Sequence, residues 1–278
     1  MTHRSIVWVV SVAVVLAALA SPSASAYTVL APHSTVAGRS TADWTEAWWT
    51  WALQAPVAAN PISDTTGASA NMNNNGPVFF IAGTDGGAPI TRTFQVPAGK
   101  PLLVPMINFV DLEPAELDPP PITVGERENA ANVVVASWQK SVDPSSLFAV
   151  IDGHTVVDPG QYLEVAGLFS MGAVQAGSVI ESLGLPAGAN LYPNNAAGYW
   201  LMIEGLAPGS HMLHLGGISS AFTPDSNCCT NFEIPGFAPD LTLNIVVVPE
   251  PGSALLLSVG LLGVIALRFV RWGKRASV

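Results

Sequence analysis

Three groups of residues in this chain are of types and at spacings that could do chemistry. The densest is the acidic stretch at residues 111–118, where Asp111, Glu113, Glu116 and Asp118 crowd ahead of three prolines. Carboxylates this close could offer oxygens to Ca²⁺, which takes about six to eight of them and needs only weak affinity outside a cell. The spacing lacks the glycine and terminal glutamate of an EF-hand loop. The expectation is therefore solvated loop charge, with the four acids as calcium candidates only. The second group is His211 and His214. On a strand, side chains three residues apart face opposite sides, so one imidazole should pack inward with a hydrogen bond and the other meet solvent, rather than both holding zinc. The third is the adjacent pair Cys228 and Cys229, which could close a strained vicinal ring, pair between chains or stay free.

No catalytic residue is assigned. The sequence has no G-x-S-x-G, no C-x-x-C and no phosphate-cradling glycine loop. His154 follows the Asp152-Gly153 pair with no nucleophile nearby in sequence. Two carboxylates could converge to hydrolyse a glycoside, but the spacing of the acids singles out no pair. The polar loop Asn71-Met72-Asn73-Asn74-Asn75-Gly76 reads as turns rather than as a sugar site.

The elements that must position such residues follow from periodicity. Ser40 and Asp43 have capping-box spacing, and Trp44, Ala47, Trp48, Trp51 and Ala55 recur at helical spacing until Pro56 stops them. One apolar stripe implies a helix laid on a sheet as a core lid, with an aromatic sugar platform as the other reading. A second helix is expected from Val124 to Ser141, capped by Thr123 and Glu126, with Ala130, Val133, Val134, Ser137 and Trp138 along its stripe. About nine short strands surround these helices, and Asp152-Gly153 signals a type I′ hairpin. The stretch 186–198 reads as a weakly structured loop. No repeat of solenoid length is present. The expected fold class is mainly β: a β-sandwich, jelly-roll or Ig-like, with two accessory helices, plus an N-terminal signal helix and a C-terminal transmembrane helix.

The ends carry addresses. His3 and Arg4 precede an apolar run from Ile6 to Ala20, and the small residues before Ala26 and Tyr27 mark a signal-peptidase cleavage site. Near the other end, Pro249-Glu250-Pro251 is followed by 14 uninterrupted apolar residues, Ala254 to Leu267. Extended to Val270, this run covers about 25 Å of a hydrocarbon core roughly 30 Å thick, a marginal span. The basic tip Arg268, Arg271, Lys274 and Arg275 would stay cytoplasmic by the positive-inside rule. The two prolines fix φ and hold the triplet extended, as a protease cleft requires. The expected organisation is a signal peptide at 1–26, a β-sandwich ectodomain at 27–247 and a sorting segment at 248–278. The transmembrane helix then spans about 253–270, with the basic tip at 268–275.

This tripartite tail resembles the PEP-CTERM sorting signal recognised by exosortases of Gram-negative bacteria. The resemblance implies processing near the Pro249-Glu250-Pro251 triplet and delivery to the cell surface or extracellular matrix. The segments Pro77 to Thr84, Arg92 to Asn108 and Gly198 to Gly217 also resemble an uncharacterised group of secreted, β-rich bacterial proteins. That resemblance implies a β-sandwich and attaches no reaction to it.

Charge narrows the partners. All 20 acidic residues lie from Asp43 to Glu250, against only five basic ones in residues 27–250, Arg39, Arg92, Lys100, Arg127 and Lys140, leaving that stretch at −15. Without clustered cations it has no nucleic-acid footprint. The expected partners are signal peptidase, exosortase and an exopolysaccharide, with the membrane engaged through the C-terminal helix before processing. No cofactor is expected beyond the possible Ca²⁺. The expected role is structural or polysaccharide-binding, with a secreted glycan hydrolase as the alternative.

Overall fold

A computed structural model describes residues 27–117, 121–226, 229 and 232–249. The signal segment before Tyr27 and the tail from Glu250 onward lie outside these residues. So do Asp118 and Cys228.

Two five-stranded sheets face each other across one core. In the first, β10 (Asn194–Glu204) pairs antiparallel with β6 (Leu102–Leu112) on one edge. Its other edge pairs with β9 (Leu163–Phe169) and β1 (Thr28–Val29), end to end, and β4 (Phe79–Phe80) lies parallel to β6. The second sheet runs β5 (Ile90–Pro97), β12 (Asp240–Val248), β11 (Gly209–Gly216), β7 (Phe148–Ile151) and β8 (His154–Thr155). A two-stranded ribbon, β2 (Thr35–Val36) and β3 (Arg39–Ser40), completes the set. The parallel pairings β4–β6 and β5–β12 depart from a strictly antiparallel jelly roll or Ig sandwich. The chain crosses between sheets at the short connections β5 to β6 and β10 to β11.

Alternation drives the closure. In β12, Leu241, Leu243, Ile245 and Val247 are buried and their neighbours half-buried. They meet Val104, Met106, Leu201 and Ile203 of the first sheet in one apolar cluster. The second face of β10 is buried as well. Ala196, Trp200 and Met202 pack under helix α1 (Thr41–Gln54) with Trp44, Trp48 and Trp49. This explains why Asn194 to Ile203 are buried without interruption. It also corrects the loop expected at 186–198, whose last residues belong to the most central strand. Asn194 and Asn195 tolerate burial because their amides donate to Leu191 O at 2.8 Å and Asn132 Oδ1 at 2.7 Å.

Both expected capping boxes are present, Ser40 with Asp43 on α1 and Thr123 with Glu126 on α2 (Val124–Ser141). The buried face of α2 is Ala130, Ala131, Val134, Val135 and Trp138, turned slightly from the expected stripe. Trp138 stacks on Phe109 with ring centroids 5.8 Å apart. A third helix, α3 (Val179–Ser182), had no periodic signal because it is a single turn. Asp152 and Gly153 both have positive φ, 50° and 81°, as a type I′ hairpin requires. Among the described residues no helix is long and apolar enough to cross a membrane, and the expected transmembrane segment lies outside them.

Because Leu243 is fully buried between the sheets and Leu183 is 61 % exposed, their truncations should differ sharply. Leu243→Ala is expected to cost about 2–5 kcal/mol in chemical denaturation and Leu183→Ala within about 0.5 kcal/mol.

Candidate functional site

A cavity of about 240 Å³ opens where α1, the loop after β4, the end of β6 and Phe237 meet. Its apolar wall is Trp48, Ile62, Phe109 and Val110; its polar members are Trp49, Thr84, Asp85 and Asn108. Thr84 is buried at its rim and Asp85 is exposed beside it.

The tryptophans of α1 are not equivalent. Trp44 Nε1 donates to Val36 O at 2.8 Å, Trp48 Nε1 to Ile81 O at 2.8 Å and Trp51 Nε1 to Met72 O at 2.6 Å. These three bonds fasten the helix to the ribbon and to the segments flanking β4. Trp49 is 7 % exposed and lines the cavity, yet its indole N–H has no acceptor. The Asn108 side-chain N–H₂ is buried at the cavity with no acceptor as well. Trp138 and Trp200 also bury unpaired indole N–H groups, but neither lines the cavity. Trp200 explains Gly198, two residues before it in β10: a Cβ there would lie 2.4 Å from Trp200 Nε1 and 2.6 Å from Cβ of Asn108 on the paired strand.

The walls are tied by Arg92, which is only 2 % exposed. Its Nε donates to Asp64 O at 2.6 Å and its Nη2 to Ile62 O at 2.7 Å. Its Nη1 donates to Ala82 O at 2.7 Å and Gly83 O at 2.8 Å. Burial lowers the pKa of this guanidinium, opposed by the charges of Asp64 and Asp85. Beside it, burial alone would raise the Asp64 pKa. The carboxylate instead accepts from Ser69 N, Thr66 Oγ1, Thr66 N and Gly67 N, and these bonds pull it down from 3.8 to about 2.

The residues singled out by sequence fall elsewhere. His211 is buried, with Nδ1 2.7 Å from Asp152 Oδ2 and Nε2 2.8 Å from Ala207 O. His214 lies on the opposite face, 42 % exposed, 2.8 Å from Asp240 Oδ1. The two rings diverge as the strand period requires. Asp111 and Glu113 are buried and engaged within the fold, whereas Glu116 is exposed. Among the described residues no three His, Cys, Asp or Glu side chains gather to hold a metal ion. Cys229 is disulfide-bonded, so it is not free. Asn74 is structural: it donates to Ala70 O and Phe80 O and accepts from Phe80 N at 2.9 Å, closing the loop against β4.

At the C-terminal edge, Val247 of β12 is paired on both sides, with Gly209 and Val96, and Val248 O accepts from Ala98 N at 2.8 Å. Residues 247–271 match the PEP-CTERM protein-sorting motif. The match takes in the Pro249-Glu250-Pro251 triplet and the basic residues Arg268 and Arg271; Lys274 and Arg275 lie past its end. No curated protein and no solved structure matches the chain. The motif thus begins inside the last two residues of the folded sheet, and Pro249, which has no N–H to donate, follows the ladder directly.

Asp64 supplies a pH test with a defined sign. Its folded pKa is depressed, so its contribution is complete above 3.8 and lost as pH falls toward about 2. In urea denaturation the stability gap between the native chain and Asp64→Asn is expected to be constant from neutral pH down to about pH 5 and to shrink below about pH 4.

Proposed function

We propose that this is an exported protein, delivered to the cell surface by exosortase-dependent sorting, where it binds matrix polysaccharide. The match at residues 247–271 carries the first half of this reading and names exosortase as the processing partner. Export through signal peptidase, with cleavage between Ala26 and Tyr27, is supported by the placement of Tyr27: its ring packs on the core and its hydroxyl donates to Ile151 O at 3.0 Å, so the fold engages the chain from that residue onward. In the same way β12 completes the second sheet at Val248.

Delivery next to the motif has a mechanical consequence. Only five residues separate Val248 from Ala254, and an extended chain spans at most about 3.6 Å per residue. Before processing, the sheet edge bearing the β5–β6 and β10–β11 connections is therefore held within about 20 Å of the bilayer. After processing, the domain leaves with its net negative charge no longer offset by the basic tip, which favours solubility at the surface.

The binding half of the reading is supported by the cavity, where an aromatic wall meets the polar residues Thr84, Asp85 and Asn108, the composition of a site for a hydroxylated ring. Hydrolysis of a glycoside uses a pair of carboxylates flanking the bond. The cavity lining holds one, Asp85.

Sorting is tested by mass spectrometry of the protein recovered from the cell surface. The expected result is no peptide containing Trp272. Replacing Pro249, Glu250 and Pro251 together by alanine should leave the Trp272 peptide intact in the membrane fraction. Native surface protein that retains Trp272 overturns the processing step.

A further inference from the structure

The charge around the cavity has one sign. Asp85 is the one ionisable residue of its lining, and no cationic side chain shares that lining. Asp85 is exposed, so a ligand at the mouth can reach it, and inside the protein it accepts a long contact of 3.4 Å from Thr84 Oγ1. Arg92 stands behind the wall, 2 % exposed, with four of its five donors ending on the carbonyls of Asp64, Ile62, Ala82 and Gly83. It therefore offers no cation to the cavity. The charges that act on it are those of Asp64 and Asp85, so one cation stands against two carboxylates and the local balance is negative. Beyond the mouth, residues 27–250 carry −15, a field that draws cations in and turns anions away.

The rest of the lining is mostly apolar: Trp48, Ile62, Phe109, Val110 and Phe237. A ligand matched to both features has a hydrocarbon surface for the wall and a positive charge at its edge. A sugar ring supplies the first through its C–H face, and an ammonium in place of one hydroxyl supplies the second. At a carboxylate, a charge-assisted hydrogen bond is about twice as strong as a neutral one, so an ammonium outcompetes a hydroxyl there. A uronic acid brings the wrong charge, and an acetylated amine brings none. The volume of about 240 Å³ equals that of about eight waters, room for one ring with the rest of a polymer outside.

We propose that this cavity binds an amino sugar residue whose amine is free and protonated, with the ammonium at Asp85 and the ring against the apolar wall. The proposal rests on the polysaccharide-binding reading and narrows it to a cationic polysaccharide.

The test uses the full chain purified in a neutral detergent at about pH 6, where sugar amines are charged. It is titrated by calorimetry with the β-1,4-linked tetramer of glucosamine and with cellotetraose, which differ in ammonium against hydroxyl at each ring. The same titrations are run on Asp85→Asn and on Glu116→Gln, which removes an exposed carboxylate outside the lining. Both substitutions are at exposed positions, and both variants should unfold at the native temperature. The expected result is binding of the glucosamine tetramer at least about tenfold tighter than cellotetraose, an advantage that falls below about threefold in Asp85→Asn and persists in Glu116→Gln. Cellotetraose binding as tight as the amino sugar's overturns the ammonium assignment and leaves polysaccharide binding standing. An advantage that survives Asp85→Asn, or that Glu116→Gln removes equally, is diffuse attraction to an acidic surface and overturns the cavity as the site. No binding of either sugar overturns both readings.

Discussion

The buried guanidinium of Arg92 organises the region of this protein where chemistry is possible. A cation that is 2 % exposed holds its place only because carbonyls take up its donors, and those carbonyls come from the 62–64 loop and from Ala82 and Gly83 after β4. Neither segment has regular structure of its own. Ile62 and Gly83 both line the cavity, so its shape depends on one side chain projecting from a rigid strand. Asp64 stabilises the arrangement from the same loop, its carboxylate collecting the backbone amides of the following turn while its own carbonyl accepts from Arg92. A charge at the hub gives these contacts a geometric precision that apolar packing lacks.

Around that hub the layering determines which residues are free to do anything else. The first sheet is covered on one face by the second sheet and on the other by α1, so β10 is buried almost throughout and β6 reaches the surface only near Asn108, Phe109 and Val110. Function is left to the rim, where α1 overhangs the end of β6. Three of the helix's tryptophans use their N–H groups to pin it down. The fourth, Trp49, lines the cavity, and its buried indole N–H has no acceptor within the protein.

Much of this was legible in the chain. Both long helices have capping boxes at the expected residues, because a cap is a local interaction between residues three apart. The divergence of His211 and His214 followed from the strand period. The first residues of β10 were missed because Asn194, Asn195 and the preceding prolines are turn formers, and only burial between two layers holds them extended. Trp49 was missed because a single narrow stripe omits the flank of a helix that is covered by loops as well as by a sheet. Arg92 did leave a signal: in β5 it falls on the same register as the buried Phe94 and Val96, so alternation alone points a cation inward. What no local pattern reveals is the meeting of Trp49, Asn108 and Asp85, which come from three separate segments.

The sorting motif and the cavity meet in one physical picture, an acidic β domain whose last strand runs straight into its address, carrying a cavity prebuilt around a buried cation. Hydrogen exchange of the full chain carrying Arg92→Met tests that prebuilt character most directly. The account predicts faster exchange at the amides of Gly67, Ser69 and Gly86, in the turns on either side of the clamp, with protection retained through the β6–β10 ladder. Unchanged protection at those three amides would contradict it.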